Sequence, residues 1–369
     1  MHIDELLRMS KERQAVDIIL TVGCPPVLRI DKKLSFTQLP SLSKEEINDL
    51  LQPLLDNRMK EVFEKNQQLS FIYSLSGWGR FRISIFKQRD CLAAAIRRFP
   101  FEIPNLEELN LPVPTLTNFC NLRDGLVLIT GPVGSGKTTT LASMLDLINK
   151  TKSMHIITLE DPVEYIFNHN KCVFEQRFIG YDCPNITLAL KEIMHQNPDI
   201  VVIGEIHDAQ TIRETLRIAE AGVLVFATFH TPTAKDTINR IINFFPGEEK
   251  EIQFQLSMVM RGVFSQQLIP RYQQSGLVPA WETLVVNERV VPIIREGTTQ
   301  QIDTVIETSS KYGMCSMDQS LTNLYNKKLI SKSDYIARLR SKEVYGNLED
   351  ASRKESTGDI LLDEDKDNL

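Results

Sequence analysis

The sequence predicts an α/β domain preceded by a smaller α+β domain. Three observations carry that expectation. The chain has 369 residues, and at roughly 150 residues per domain that suggests two domains. Four short apolar runs, Leu126–Thr130, His155–Leu159, Ile200–Ile203 and Val223–Thr228, alternate with helical patterns. Runs apolar on both faces are the mark of central strands in a helix-covered sheet. Upstream of them the texture differs: strands there alternate in polarity, as antiparallel strands with one solvated face do.

The elements follow in order. The N-terminal stretch MHIDELLRMSKERQ is polar and amphipathic and lacks an apolar signal core. Ser43-Lys-Glu-Glu46 is a capping box and starts a helix. Phe71–Tyr73 and Arg80–Phe86 read as strands around the turn signal Gly77-Trp-Gly79. In the second strand Phe81, Ile83 and Ile85 share one face, and Arg80, Arg82 and Ser84 the other. A further strand spans Cys91–Arg98. These elements make a first domain of residues 1–99. Proline and polar residues at 100–114, including Pro104 and Pro112, read as a linker. The α/β domain then covers 115–345 and turns mostly helical after Pro246. Residues 346–369 are acidic and polar and read as a disordered tail.

Composition excludes several classes. Apolar residues make up 42% and charged residues 24%, as expected for a globular chain. Lys plus Arg is 42 against 48 Asp plus Glu, a formal charge of −6. No basic stripe interleaved with aromatics appears, so a nucleic-acid partner is not expected. No apolar run approaches a membrane span. The six cysteines form no CxxC pair, which supports neither a zinc ribbon nor a disulfide framework.

The strongest chemical signal is Gly131, Pro132, Val133, Gly134, Ser135, Gly136, Lys137 and Thr138, the pattern G-x-x-x-x-G-K-[ST]. Thr139 continues it. A buried-strand pattern leads in, and Leu141, Met144, Leu145 and Ile148 follow at helical spacing. Glycines let the backbone wrap phosphates, while successive N–H groups and a helix N-terminus supply positive charge. Lys137 is placed to reach the β- and γ-phosphates, and the Thr138 hydroxyl to ligate Mg²⁺. ATP and Mg²⁺ are the expected cofactors.

Phosphoryl transfer to water also needs carboxylates. Glu205 follows the strand Ile200–Ile203 and Gly204. Glu160 follows Ile156–Leu159 and opens Glu160-Asp-Pro-Val-Glu164. Strand C-terminal ends face the crevice where open α/β sheets bind ligands. One strand-end Glu is ordinarily a solvated loop residue, but two beside a phosphate loop favour a site. His230 ends the strand Val223–Phe229. It reads either as a structural histidine or as a contact to the γ-phosphate.

These residues together resemble the secretion and type IV pilus ATPases, in their PilT/PilU retraction branch. The resemblance runs from about residue 1 to 340. It rests on Thr21-Val-Gly-Cys-Pro-Pro, Gly79-Arg-Phe-Arg-Ile-Ser, the phosphate loop and Ile157-Thr-Leu-Glu-Asp-Pro-Val-Glu164. It continues through Pro198-Asp-Ile-Val-Val-Ile-Gly-Glu205, Leu224-Val-Phe-Ala-Thr-Phe-His230-Thr231 and Arg240-Ile-Ile-Asn-Phe-Phe-Pro246. Gly313-Met-Cys-Ser-Met-Asp-Gln-Ser-Leu and the acidic tail resemble PilU more than PilT.

The resemblance implies a PAS-like first domain, a RecA-like ATPase domain and a homohexameric ring. The ring would lie at the cytoplasmic face of the inner membrane and act on a pilus platform protein during retraction. It implies Glu160 as general base, Glu205 as the carboxylate that holds Mg²⁺ and its water, and His230 as part of the histidine box. It also implies Arg82 and Arg97 as cations that stabilise phosphate charge. Departures from the family pattern fall at His207, where Arg is usual, at His195, and at Val223, where the first histidine of the box is usual. They keep a second expectation open: an accessory ring that binds ATP and acts with a PilT-type motor. The extension and secretion ATPases fit less well, because the tetracysteine insert usual in them is absent.

Overall fold

A computed structural model describes residues 2–30, 33–99 and 102–340 of the chain. Two units emerge: one of Met1–Ile103 with Pro162–Ile166, the other of Pro104–Asp161 with Phe167–Leu369.

The first unit holds helix α1 (Ile3–Glu12), strands β1 (Asp17–Leu20), β2 (Val27–Ile30) and β3 (Lys33–Phe36), and helices α2 (Lys44–Leu51) and α3 (Asn57–Asn66). Strands β4 (Gln68–Leu75), β5 (Gly79–Gln88) and β6 (Cys91–Arg98) complete it. The six strands form one antiparallel sheet in the order β3-β2-β1-β6-β5-β4. Its apolar face carries Phe81, Ile83 and Ile85, which pack with Leu6 and Leu7 of α1 and Ile47 and Leu51 of α2. Helix α2 begins at the predicted capping box. The Ser43 hydroxyl accepts the Glu46 N–H at 3.1 Å, and Glu46 Oε2 accepts the Ser43 N–H at 2.7 Å.

The second unit opens with α4 (Val113–Cys120), β7 (Gly125–Thr130), α5 (Lys137–Thr151), β8 (His155–Glu160) and β9 (Val173–Phe178). Next come α6 (Ile186–Ile193), β10 (Ile200–Ile203), α7 (Ala209–Glu220), β11 (Leu224–Phe229), α8 (Ala234–Asn243) and α9 (Glu249–Val259). It ends with β12 (Met260–Pro270), β13 (Leu277–Val285), α10 (Val290–Glu296), α11 (Ile302–Thr308), α12 (Met317–Asn326) and α13 (Lys332–Arg338). The sheet order is β13-β12-β7-β11-β10-β8-β9, parallel throughout except for the β12–β13 hairpin. Every residue of β7, β10 and β11 is buried. That is the double coverage their unbroken apolar runs require.

Two features depart from the sequence expectation. The expected linker at 100–114 is packed from Pro104 onward: Leu106 and Leu111 are buried, and the Ser143 hydroxyl donates to the Pro104 carbonyl at 2.6 Å. Prolines there shape a docked segment, because apolar residues between them have a core to enter. Helices predominate after Pro246, but the hairpin β12–β13 interrupts them and widens the sheet. Its first strand gains a partner in β7 that local pattern does not reveal. Residues 341–369, including the acidic tail, lie outside the described residues. Among the described residues no helix is long and apolar enough to cross a membrane.

Candidate functional site

The phosphate loop leaves the C-terminal end of β7 at Gly131. This residue has φ +140°, and a Cβ there would stand 2.1 Å from the Gln266 carbonyl and 2.7 Å from Ser135 Oγ. Only glycine tolerates both that backbone and that approach. The loop ends at Gly136, in the left-handed region, which caps α5 without a side-chain hydrogen bond. The first N–H groups of a 15-residue helix therefore have no capping side chain. Val133 is exposed, whereas Ser135 is buried and its hydroxyl has no hydrogen-bond partner. A buried hydroxyl without a partner is costly, and a phosphate oxygen would satisfy it. Thr138 and Thr139 occupy the first turn of α5, both half-buried.

Lys137 is buried, and its ammonium donates to the Gly131 carbonyl at 2.9 Å and the Pro132 carbonyl at 3.0 Å. Its Nζ also lies 3.2 Å from His230 Nδ1. Burial lowers the Lys137 pKa from its ordinary range, and the Glu205 charge opposes that shift. The sheet order explains the meeting of these groups. Strand β11, which carries His230 just past its end, lies between β7 and β10, which leads to Glu205. His230 Nε2 contacts Glu205 Oε1, and His230 Nδ1 also lies 3.3 Å from the Gly131 carbonyl. The ring thus lies between the Lys137 ammonium and the Glu205 carboxylate, with one nitrogen toward each. His207 Nδ1 stands 3.2 Å from the same Glu205 oxygen.

Glu160 closes β8, the next strand along. Its Oε1 accepts the Thr158 hydroxyl at 2.7 Å and the Gln176 amide at 3.3 Å. Gly204 brings the two acidic strand ends together. Its N–H donates to the Leu159 carbonyl at 2.8 Å, and a Cβ on it would lie 3.1 Å from both Glu160 Cα and the Leu159 oxygen. The second unit thus assembles the loop, Lys137, Thr138, Glu160, Glu205 and His230 along adjacent strand ends.

Arg82 and Arg97 are not part of that cluster; they belong to the first unit. They face each other as cross-strand partners on β5 and β6. Arg97 donates from Nε to Asp17 Oδ1 at 2.9 Å, and Arg29 holds the other Asp17 oxygen at 3.0 Å. Glu164 adjoins both arginines: burial raises its pKa, and Arg82 and Arg97 draw it back down. Arg80 donates to the Val163 carbonyl at 3.2 Å.

Sequence reasoning missed Gln266 and Ser265 on β12. The buried Gln266 amide donates to the Ser135 carbonyl at 2.5 Å, and its oxygen accepts the Thr140 hydroxyl at 2.7 Å. The Ser265 and Thr130 hydroxyls lie 2.7 Å apart. The run Gly262–Ile269, bounded by Pro270 and followed by Gly276, was the strand signal that could have found them.

Among the described residues, no three His, Cys, Asp or Glu side chains form a metal cluster. Mg²⁺ is instead commonly held by one or two protein oxygens together with substrate phosphates. Thr138 and Glu205 fit that pattern, and the glycine cradle with the unpartnered Ser135 hydroxyl fits phosphate.

A phosphate loop after β7, with His230 after the neighbouring β11 and Glu205 and Glu160 at the ends of the next two strands, β10 and β8, defines a RecA-like P-loop ATPase. Comparison with known proteins carries this further. The chain belongs to the family described as Type II/IV secretion system protein, which matches residues 76–332. It is 36% identical over 335 residues to the type IV pilus retraction ATPase PilT of Pseudomonas aeruginosa, covering 90% of this chain and 97% of that one. It is 33% identical over 342 residues to the type IV pilus ATPase PilU of the same organism, covering 92% and 89%. The crystal structure of the pilus retraction motor PilT with bound ADP superposes with a TM-score of 0.87 at 39% identity. That match covers 93% of this chain and 98% of that one.

Proposed function

We propose that this chain is an ATP-hydrolysing motor of type IV pilus retraction. It would work as a homohexameric ring at the cytoplasmic face of the inner membrane, against a pilus platform protein. The observation that carries the reading is the chain Lys137–His230–Glu205 beside Glu160, on adjacent strand ends.

The loop N–H groups and Lys137 bind the phosphates of ATP. Mg²⁺, when bound, neutralises phosphate charge, and Thr138 with Glu205 would hold it. Glu160 takes the proton of the attacking water, its carboxyl oriented by Thr158 and Gln176. The imidazole of His230 joins Lys137 to Glu205, so a change of partner at the ammonium reaches the carboxylate through one ring. Arg82 and Arg97 would add positive charge to the phosphoryl group, a role taken from the family resemblance.

Glu160→Gln tests the assignment. It should bind ATP normally and lose turnover by about a hundredfold or more, measured against Lys137→Ala as blank. A normal rate refutes Glu160 as the base. In piliated cells the parent chain should support retraction and Glu160→Gln should not. One observation favours a second reading, an accessory ring acting with a PilT-type ATPase: His207, not Arg, sits against Glu205. That reading expects ATP binding with turnover no higher than the blank.

A further inference from the structure

The loop that follows His230 is held by a residue more than a hundred positions further along the chain. Arg340 lies just beyond α13. Its Nη1 donates to Glu282 Oε2 at 2.7 Å, and its Nη2 donates to the Pro232 carbonyl at 2.7 Å. The Arg340 backbone N–H donates to Asp318 Oδ1 at 3.0 Å, which anchors the residue to α12. Glu282, on β13, is buried, and its other oxygen accepts the Ala234 N–H at 2.8 Å. Arg340 and Glu282 together grip a carbonyl and an N–H within four residues of His230. Glu282 also pairs in register with Ser265, whose hydroxyl touches that of Thr130, the residue before Gly131. One rung of the hairpin therefore contacts both the phosphate-loop strand and the loop after His230.

We propose that Arg340 is a positioning residue for His230. Its guanidinium fork fixes the Pro232 carbonyl and, through Glu282, the Ala234 N–H. The imidazole is thereby kept between Lys137 and Glu205. The chemistry requires arginine: two acceptors lie on two different nitrogens of one planar group, and an ammonium on a flexible stem does not hold both in that geometry. Neutralising the buried Glu282 is a separate job, which lysine also performs.

The proposal deepens the hydrolytic reading of His230 and rests on it. The test uses full-length Arg340→Lys beside His230→Ala, with kcat and KM for ATP and the melting temperature measured for each. Arg340→Lys should melt within about 2 °C of the parent, because the buried carboxylate keeps a cation. Its kcat should fall about tenfold with KM changed less than about twofold, the pattern of a lost interaction that serves the reaction and not substrate binding. Parent-like kcat in Arg340→Lys overturns the proposal, as does a loss of activity that only follows lost folding. If His230→Ala turns over normally, the role of His230 fails and Arg340 falls with it. If His230→Ala is impaired while Arg340→Lys is not, only the Arg340 proposal fails.

Discussion

Replacing Gln266 by leucine probes how β12 supports the phosphate loop. Leucine is close in shape, so the site stays filled, but both hydrogen bonds disappear. The Ser135 carbonyl and the Thr140 hydroxyl are then left without these partners in a region where Gln266 is only 3% exposed. Orphaning a buried polar group costs about 1–3 kcal/mol, so the two together cost about 2–6 kcal/mol. The extra apolar burial of leucine returns about 1 kcal/mol, leaving a net loss near 3 kcal/mol. For a domain of this size, each kcal/mol shifts the melting temperature by about 2–4 °C, so a drop of about 6–12 °C is expected. Because Ser135 belongs to the loop itself, ADP affinity should also fall about tenfold. Scanning calorimetry and isothermal titration with ADP read the two effects. Gln266→Glu is the companion: one oxygen still accepts from Thr140, but the other meets the Ser135 carbonyl. It should be destabilised at least as much. A Gln266→Leu protein that melts within about 2 °C of the parent and binds ADP equally well refutes the reasoning.

Three further outcomes follow from the geometry. Gly204→Ala places a Cβ 3.1 Å from two backbone atoms of β8 and so moves Glu160 relative to Glu205. Turnover should fall about ten- to hundredfold with ATP binding nearly intact, and equal losses of both would contradict this. Burial raises the Glu282 pKa above its ordinary 4.5, and Asp303 adds to that; Arg340 and the Ala234 N–H lower it only in part. Because the folded state then holds the proton more tightly, this group's stabilising contribution is full below pH 4.5 and is lost as pH rises through the elevated value. Glu282→Gln should flatten that slope in denaturant titrations across the window, and an unchanged slope would refute the attribution. Burial pushes the Cys120 thiol up to about 12 and the Cys315 thiol up to about 11. Alkylation at mildly alkaline pH should therefore modify the half-buried Cys24 and Cys91 first, the equally half-buried Cys315 more slowly, and the buried Cys120 only after unfolding. Early labelling of Cys120, read by peptide mass, would show that its surroundings open.

The parts of the site that were legible in the sequence are those whose chemistry is local. The phosphate loop is written in consecutive glycines. Glu160, Glu205 and His230 stand out because each follows an apolar strand that needs no partner to be recognised. Arg82 shares a face with Arg80 by simple alternation along β5. Gln266 was hidden for the opposite reason. Its role depends on β12 pairing with β7, and the Ser135 carbonyl it holds is 131 residues away in sequence. Asp17 was hidden likewise: it meets Arg97 only because β1 pairs with β6. Arg340 acts through Glu282, and nothing near either residue in sequence marks the other.

The grouping of Pro162–Ile166 with the first unit has a consequence for covalent topology. The chain passes between units three times: after Ile103, after Asp161 and after Ile166. A protease nick between Ile103 and Pro104 would therefore leave the halves joined under native conditions. It also means that the first unit is not a cassette. Exchanging residues 1–103 for the matching stretch of a relative would leave behind the strip whose Val163 carbonyl accepts from Arg80. The graft would then present foreign side chains to Glu164 and its neighbours. A working chimera has to carry that five-residue strip along with the sheet, although it sits in the sequence directly after Glu160 and Asp161.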